Sequence, residues 1–99
     1  METDKFRENL ENGVILLDFN AAWCAPCKAQ EPIIKKLTKK YRNRAFIIDV
    51  NIDEYKNLAT KYMVQSIPTL ILFRDGKEIK RFIGLQSEST ITKSLDDAL

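Results

Sequence analysis

Two short runs decide most of what this chain can fold into: VILLDFN at 14–20 and AFIIDVNI at 45–52. A strand with one face in water alternates apolar and polar residues, whereas a strand covered on both faces has no need to. Both runs are nearly continuous in apolar residues, so they read as buried strands of a parallel sheet. Helical patterns follow each. After the first run, Ile33, Ile34, Leu37 and Tyr41 recur at helical spacing opposite lysines, predicting an amphipathic helix from Pro26 to about Arg42. Pro26 suits its first turn, and Pro32 is expected to kink it by removing one backbone hydrogen bond. After the second run, Asp53 is the expected N-cap of a short helix carrying Leu58, Ala59 and Tyr62 on one face.

The remainder completes an alternating pattern. TLILF and KEIKRFI flank Asp75-Gly76, a strong two-residue hairpin signal, so the last two strands should be antiparallel. Ser87 is placed to cap a final helix with Ile91, Leu95 and Leu99 on its inner face. At the other end, TDKFRENLENG reads as a short helix with Thr3 or Asp4 as N-cap, Phe6 and Leu10 one turn apart, and Gly13 as terminator. The expected architecture is an α/β sandwich, a mixed sheet with helices on both faces, formed as a single domain over residues 1–99.

Composition narrows the function classes. With 44% hydrophobic and 30% charged residues the chain has the make-up of a soluble globular protein, and its apolar runs are strand-sized, so no membrane span is expected. The N-terminal segment lacks a basic stretch followed by an apolar one, which argues against a secretory signal and for a cytoplasmic protein. A net charge of +2 names no partner. The basic cluster KKLTKKYRNR at 35–44 invites comparison with a nucleic-acid patch, but no aromatic platform accompanies it. A solvated helix face, with cations complementing the C-terminal end of the helix dipole, is the better reading, and no nucleic-acid partner is expected.

The chemistry lies in NAAWCAPCKAQEP, which holds both cysteines, Cys24 and Cys27. A closed zinc site needs about four nitrogen or sulfur ligands, and this chain offers two cysteines and no histidine. A purely structural bridge across two intervening residues closes a very short loop and constrains the unfolded chain little. A reactive pair is the remaining reading. The cysteines fall where a buried strand hands over to a helix, the end of an open α/β sheet at which active sites gather. Cys24 there meets unpaired N–H groups and the positive end of the helix dipole, which lower a thiol pKa. Cys27, one turn on, can hydrogen-bond that thiolate and later attack a mixed disulfide.

DFNAAWCAPCK, followed by SIPTLILFRDGK and RFIGL, resembles the thioredoxin family, whose usual motif is Trp-Cys-Gly-Pro-Cys. The resemblance runs from about Val14 to the C-terminus. It implies a thioredoxin fold and a protein-disulfide reductase that works without a bound cofactor, Cys24 attacking and Cys27 resolving, on protein disulfide substrates and with a thioredoxin reductase as electron donor. Before VILLDF there is room for a helix but hardly for the family's usual first strand, so a four-stranded sheet is expected; the chain is expected to be a monomer, with pairing of an exposed sheet edge in a dimer left open. Ala25 stands where most members have glycine, and with Pro26 it shapes the turn of the motif; a modest change in redox poise is expected, of no fixed sign. Asn20 occupies a position often held by tryptophan in bacterial members, giving one wall of the site a more polar character.

Around the pair, Asp18 is the main candidate. A carboxylate inside an apolar run is costly to bury as a charge, so its pKa should rise. It could instead sit exposed at the strand end. The buried reading makes it the general base and acid for Cys27, the role the resemblance implies. Asp49 on the neighbouring strand would couple to it if close. Pro68 taken alone would be called trans; the resemblance implies a cis Ile67–Pro68 bond packed against the cysteines, leaving Ile67 backbone groups for an extended substrate. Trp23 could be a core aromatic, but beside Cys24 it fits better as a semi-exposed contact surface. Gly84 could simply end a strand; by resemblance its loop faces the same groove. Lys28 is a lesser candidate for thiolate stabilisation. Two other uses of such a chain stay open: an oxidase or isomerase, and a binding subunit without turnover.

Overall fold

The computed structural model describes residues 12–99, and the helix expected over 3–13 lies almost wholly outside the described residues. In chain order the elements are β1 (Val14–Asn20), α1 (Ala25–Lys40), β2 (Phe46–Asn51), α2 (Lys56–Lys61), β3 (Thr69–Arg74), β4 (Lys77–Ile83) and α3 (Glu88–Ala98). They form a four-stranded mixed sheet in the order β2-β1-β3-β4. β1 pairs parallel with β2 and antiparallel with β3, and β3 pairs antiparallel with β4.

The continuous apolar run of β1 has the predicted cause. Val14 and Leu16 point into a layer with Ile34 and Leu37 of α1, Tyr41 just past its end, and Ile91 and Leu95 of α3. Ile15, Leu17 and Phe19 point the other way, toward Leu58 and Ala59 of α2 and Tyr62 beyond its end. β3 alternates likewise, Leu70 and Leu72 into the first layer, Ile71 and Phe73 into the second. Each such fully buried side chain contributes about 1.5–3 kcal/mol by leaving water, so both central strands are held from two sides.

Several expectations are corrected. β2, expected to be a buried strand, is an edge strand among the described residues; only Val50 is buried in it and Phe46 is 53% exposed. Sequence shows apolar character, not strand order, and an edge position uncovers what a central one would bury. Asp53 does not cap α2: Tyr55 is the N-cap, without a side-chain hydrogen bond, and the Asp53 carboxylate turns instead to Trp23. Ser87 does cap α3, accepting from the Thr90 N–H at 3.2 Å. Leu99, however, lies past the last turn and is 48% exposed, while Ala98 takes the buried place. α1 starts one residue before the expected Pro26 and ends at Lys40, with Tyr41 as C-cap. It continues through Pro32, whose ring leaves the Lys28 carbonyl without its usual i+4 donor on an exposed face.

The hairpin turn behaves as its residues require. Asp75 and Gly76 both take positive φ, 49° and 85°, the geometry of a primed turn that suits the twist of antiparallel strands. The Asp75 carboxylate also accepts the Gly13 N–H at 2.9 Å, tying the turn to the start of β1. The lysines of the basic stretch lie on the exposed face of α1 up to Lys40, and residues 41–44 form the turn after it. Lys35 pairs with Glu31 at 3.5 Å and Lys36 with Glu88 at 3.1 Å, while Arg44 lies over the Tyr41 ring, 4.6 Å from its centroid.

Candidate functional site

Four chain segments converge at one end of the sheet. β1 and β2 finish there, at Asn20 and Asn51, and because β3 runs the other way it begins there, at Thr69. Thr69 in turn faces Ile83, the last residue of β4. The topology therefore brings the Ala21–Cys24 turn, the segment before Thr69 and the loop after Ile83 to the same rim.

Cys24 is the N-cap of α1, with extended backbone angles (φ −94°, ψ 110°), and its Sγ accepts the Cys27 N–H at 3.2 Å. Ordinarily a serine or aspartate oxygen makes this bond. Pro26 has no N–H to offer, so the cap interaction falls to the amide of Cys27. Cys24 and Cys27 are joined by a disulfide, with Cα atoms 5.2 Å apart. Both are largely buried, packed with Ala21 and against Ile52 and Ile67. Ala25 and Pro26, at the first two helical positions, are exposed.

Asp18 lies behind this turn. Its parity on β1 puts it on the α1 side of the sheet with Val14 and Leu16; it is 4% exposed, and its Oδ1 has no hydrogen-bond partner among the described residues. Burial pushes its pKa from 3.8 to about 7, and the charge of Asp49 adds to the rise; the Asn20 amide opposes it, and Glu31 adds a smaller upward push. Asp49 is the directly paired residue on β2, so the two carboxylates are neighbours. Asn20 sits between them: its amide donates to the Asp18 carbonyl oxygen at 3.1 Å and to the Asp49 carboxylate.

The opposite rim is built by the Ile67–Pro68 segment, and this peptide bond is cis. The Pro68 carbonyl accepts the Gly84 N–H at 2.8 Å, which lays the loop after β4 alongside it. Among the described residues, the N–H and C=O of Ile67 have no backbone partner. Gly84 has φ +95°, a conformation that side chains resist, and a Cβ there would meet open space. The positive φ calls for glycine here, rather than crowding by a neighbour. Trp23 is 69% exposed, so the core alternative is excluded; its indole N–H donates to Asp53 Oδ2 at 3.0 Å, which fixes the ring at the rim. Leu85 adds another exposed apolar side chain beyond Gly84. Lys28 is exposed on the first turns of α1. Among the described residues there is no group of three or more histidine, cysteine or acidic side chains placed to hold a metal ion.

A strand-to-helix turn with paired cysteines, a buried carboxyl behind and a cis-proline in front is a specific combination, and comparison with known proteins gives it a family. The family model described as Thioredoxin matches residues 1–97. The chain belongs to the thioredoxin family. It is 40% identical over 94 residues to the thioredoxins of Staphylococcus haemolyticus and Staphylococcus aureus, covering 95% of this chain and 90% of each relative. Among solved structures it is similar to a mutant thioredoxin from Halobacterium salinarum, with a TM-score of 0.87, 32% identity, and coverage of 96% of this chain and 83% of the other. It is also similar to the oxidised form of a mitochondrial thioredoxin from Saccharomyces cerevisiae, with a TM-score of 0.84, 30% identity, and coverage of 96% and 89%. The fold is the thioredoxin fold, and the protein is a thiol-disulfide oxidoreductase with a redox-active cysteine pair.

Sequence reasoning missed two features. Asn20 was read as a polar wall, but not as the link between Asp18 and Asp49. Gln30 was not singled out at all, although it is fully buried one turn after Cys27. A polar residue in line with Cys27, Ile34 and Leu37 at helical spacing was the available signal.

Proposed function

We propose that the protein reduces protein disulfides by dithiol-disulfide exchange, with Cys24 as the attacking thiolate and Cys27 as the resolving thiol. The observation that carries this reading is the Cys27 N–H directed at Cys24 Sγ at the start of α1. In the dithiol form that donor and the helix terminus favour a thiolate on Cys24. The thiolate attacks one sulfur of a substrate disulfide; one S–S bond forms as another breaks, and the leaving substrate sulfur takes up a proton. Cys27 then attacks Cys24 Sγ, forming the intramolecular disulfide and releasing the second substrate sulfur. Two electrons pass from the cysteine pair to the substrate. Asp18 accepts the proton of Cys27 in the second step and returns it when the pair is reduced again, a role supported by its burial and its pKa of about 7.

The rim offers a substrate both backbone and apolar contacts. Ile67 supplies N–H and C=O groups that have no backbone partner among the described residues, Gly84 leaves space, and Trp23 presents an exposed ring; together they suit an extended protein segment added beside the cis-proline. The electron donor in this reading is a thioredoxin reductase, and the working unit is a single-domain monomer in the cytoplasm. No helix among the described residues is long and apolar enough to cross a membrane. Thiol-dependent reduction of insulin checks the reading. Wild type is expected to accelerate it and Cys24→Ser to abolish that acceleration, whereas equal rates with and without Cys24 would refute the role of the pair.

A further inference from the structure

We propose that Gln30 is a positioning residue: through Gln86 it holds the Gly84–Leu85 loop in place, so that the groove beside the cysteines is preformed for a protein substrate. The geometry is a continuous chain of hydrogen bonds. Gln30 Nε2 donates to the Gln86 carbonyl oxygen at 3.0 Å, and Gln30 Oε1 accepts the Gln86 N–H at 2.8 Å. Gln86 Nε2 donates to the Gly84 carbonyl oxygen at 3.1 Å, and the Gly84 N–H donates to the Pro68 carbonyl oxygen at 2.8 Å. The helix that carries Cys27 is thereby linked to the loop after β4 and, through it, to the cis-proline.

The choice of residue is what carries the inference. Glutamine is rarely fully buried, because its amide loses water that an apolar side chain never held. Gln30 stands on α1 between Cys27 and Ile34, in a buried stripe otherwise apolar, where a methionine or leucine would fill the same space. Gln86 lies in the loop between β4 and α3, immediately before the Ser87 cap, where neither ladder nor helix bonds serve its N–H and C=O. One side chain that both donates and accepts satisfies the two groups and fixes the loop's position relative to α1. The beneficiary is the part of the rim that meets a substrate backbone; neither sulfur touches Gln30 through these bonds. The proposal rests on the reductase reading given above.

Two variants and two disulfides test it. Gln30→Met keeps length and burial while removing both bonds to Gln86, and Gln86→Leu cuts only the bond to Gly84. Because the lost hydrogen bonds position the binding wall and do not themselves touch substrate, only part of their worth reaches binding: the KM for insulin is expected to rise about five- to tenfold in Gln30→Met and by a smaller factor in Gln86→Leu. The kcat for insulin, the rate with a small aromatic disulfide and the equilibrium with glutathione should stay within about twofold of wild type, because the binding wall and not the sulfur chemistry has changed. An unchanged insulin KM in both variants would overturn the proposal, as would equal losses with both disulfides. Should Gln30→Met fail to fold, Gln30→Leu, which also removes both bonds to Gln86, decides by the same comparison. An active wild type with flat KM values removes only the role of Gln30, whereas an inactive wild type removes the reductase reading and this proposal with it.

Discussion

Asp18 pairs across the strands with Asp49 on one side and Leu70 on the other, and its unpartnered oxygen faces the α1 layer. In the unfolded chain it titrates near 3.8, and in the folded protein near 7, chiefly because burial penalises its charge. Between those values the native state holds a proton that the unfolded chain has released, so stability falls as pH rises. The favourable contribution is complete below the lower value and gone above the higher one. A rise of this size corresponds to about 4 kcal/mol as an upper figure. Asp18→Asn is therefore expected to stabilise the oxidised protein at pH 8 by up to about 4 kcal/mol relative to wild type, and by little at pH 3.5. Denaturant midpoints at the two pH values check this; equal midpoints at pH 8 would mean that the carboxylate is solvated. The buried position was legible from the apolar run around Asp18. Coupling to Asp49 was legible as a condition on closeness, but the register that meets the condition and the Asn20 bond to Asp49 were not, since register between strands distant in sequence is a tertiary fact.

At the scale of elements, periodicity located every helix and strand expected within the described residues, and local contacts set their ends. α3 illustrates this. Ile91 and Leu95 face the core as their spacing predicts, but Leu99 falls beyond the last turn. Leu95→Ala should cost about 2–5 kcal/mol by opening a cavity, whereas Leu99→Ala should cost less than about 0.5 kcal/mol, as for an ordinary exposed site. Thermal or denaturant unfolding of the two variants distinguishes them, and similar losses would put Leu99 back in the core. α2 shows a stop that the residues conceal. It ends at Lys61 with Tyr62 as C-cap, and Met63 takes φ 54° in the left-handed region without being glycine or asparagine. Arg81 reaches across from β4 to donate to the Tyr62 carbonyl oxygen at 2.8 Å, so part of that helix end is satisfied from outside the segment.

For the whole molecule, the sheet separates two layers, one under α1 and α3 and one under α2. Ile91 belongs to the first and Ile71 to the second. Ile91→Val and Ile71→Val should each cost about 0.5–1.5 kcal/mol, and the double variant should match their sum within about 0.5 kcal/mol. A clear departure from additivity, measured by denaturant unfolding, would mean that the layers are coupled through the sheet. The sequence by itself determined the strand and helix alternation, the hairpin turn and the cysteine turn, because these depend on periodicity, φ preferences and caps among neighbouring residues. Only the tertiary structure decided that β2 is an edge strand among the described residues, that Asp53 serves Trp23 instead of α2, and that Gln30 clasps Gln86. Each of those depends on which distant backbone or side-chain group a residue meets once the sheet has set its order, and no local pattern carries that information.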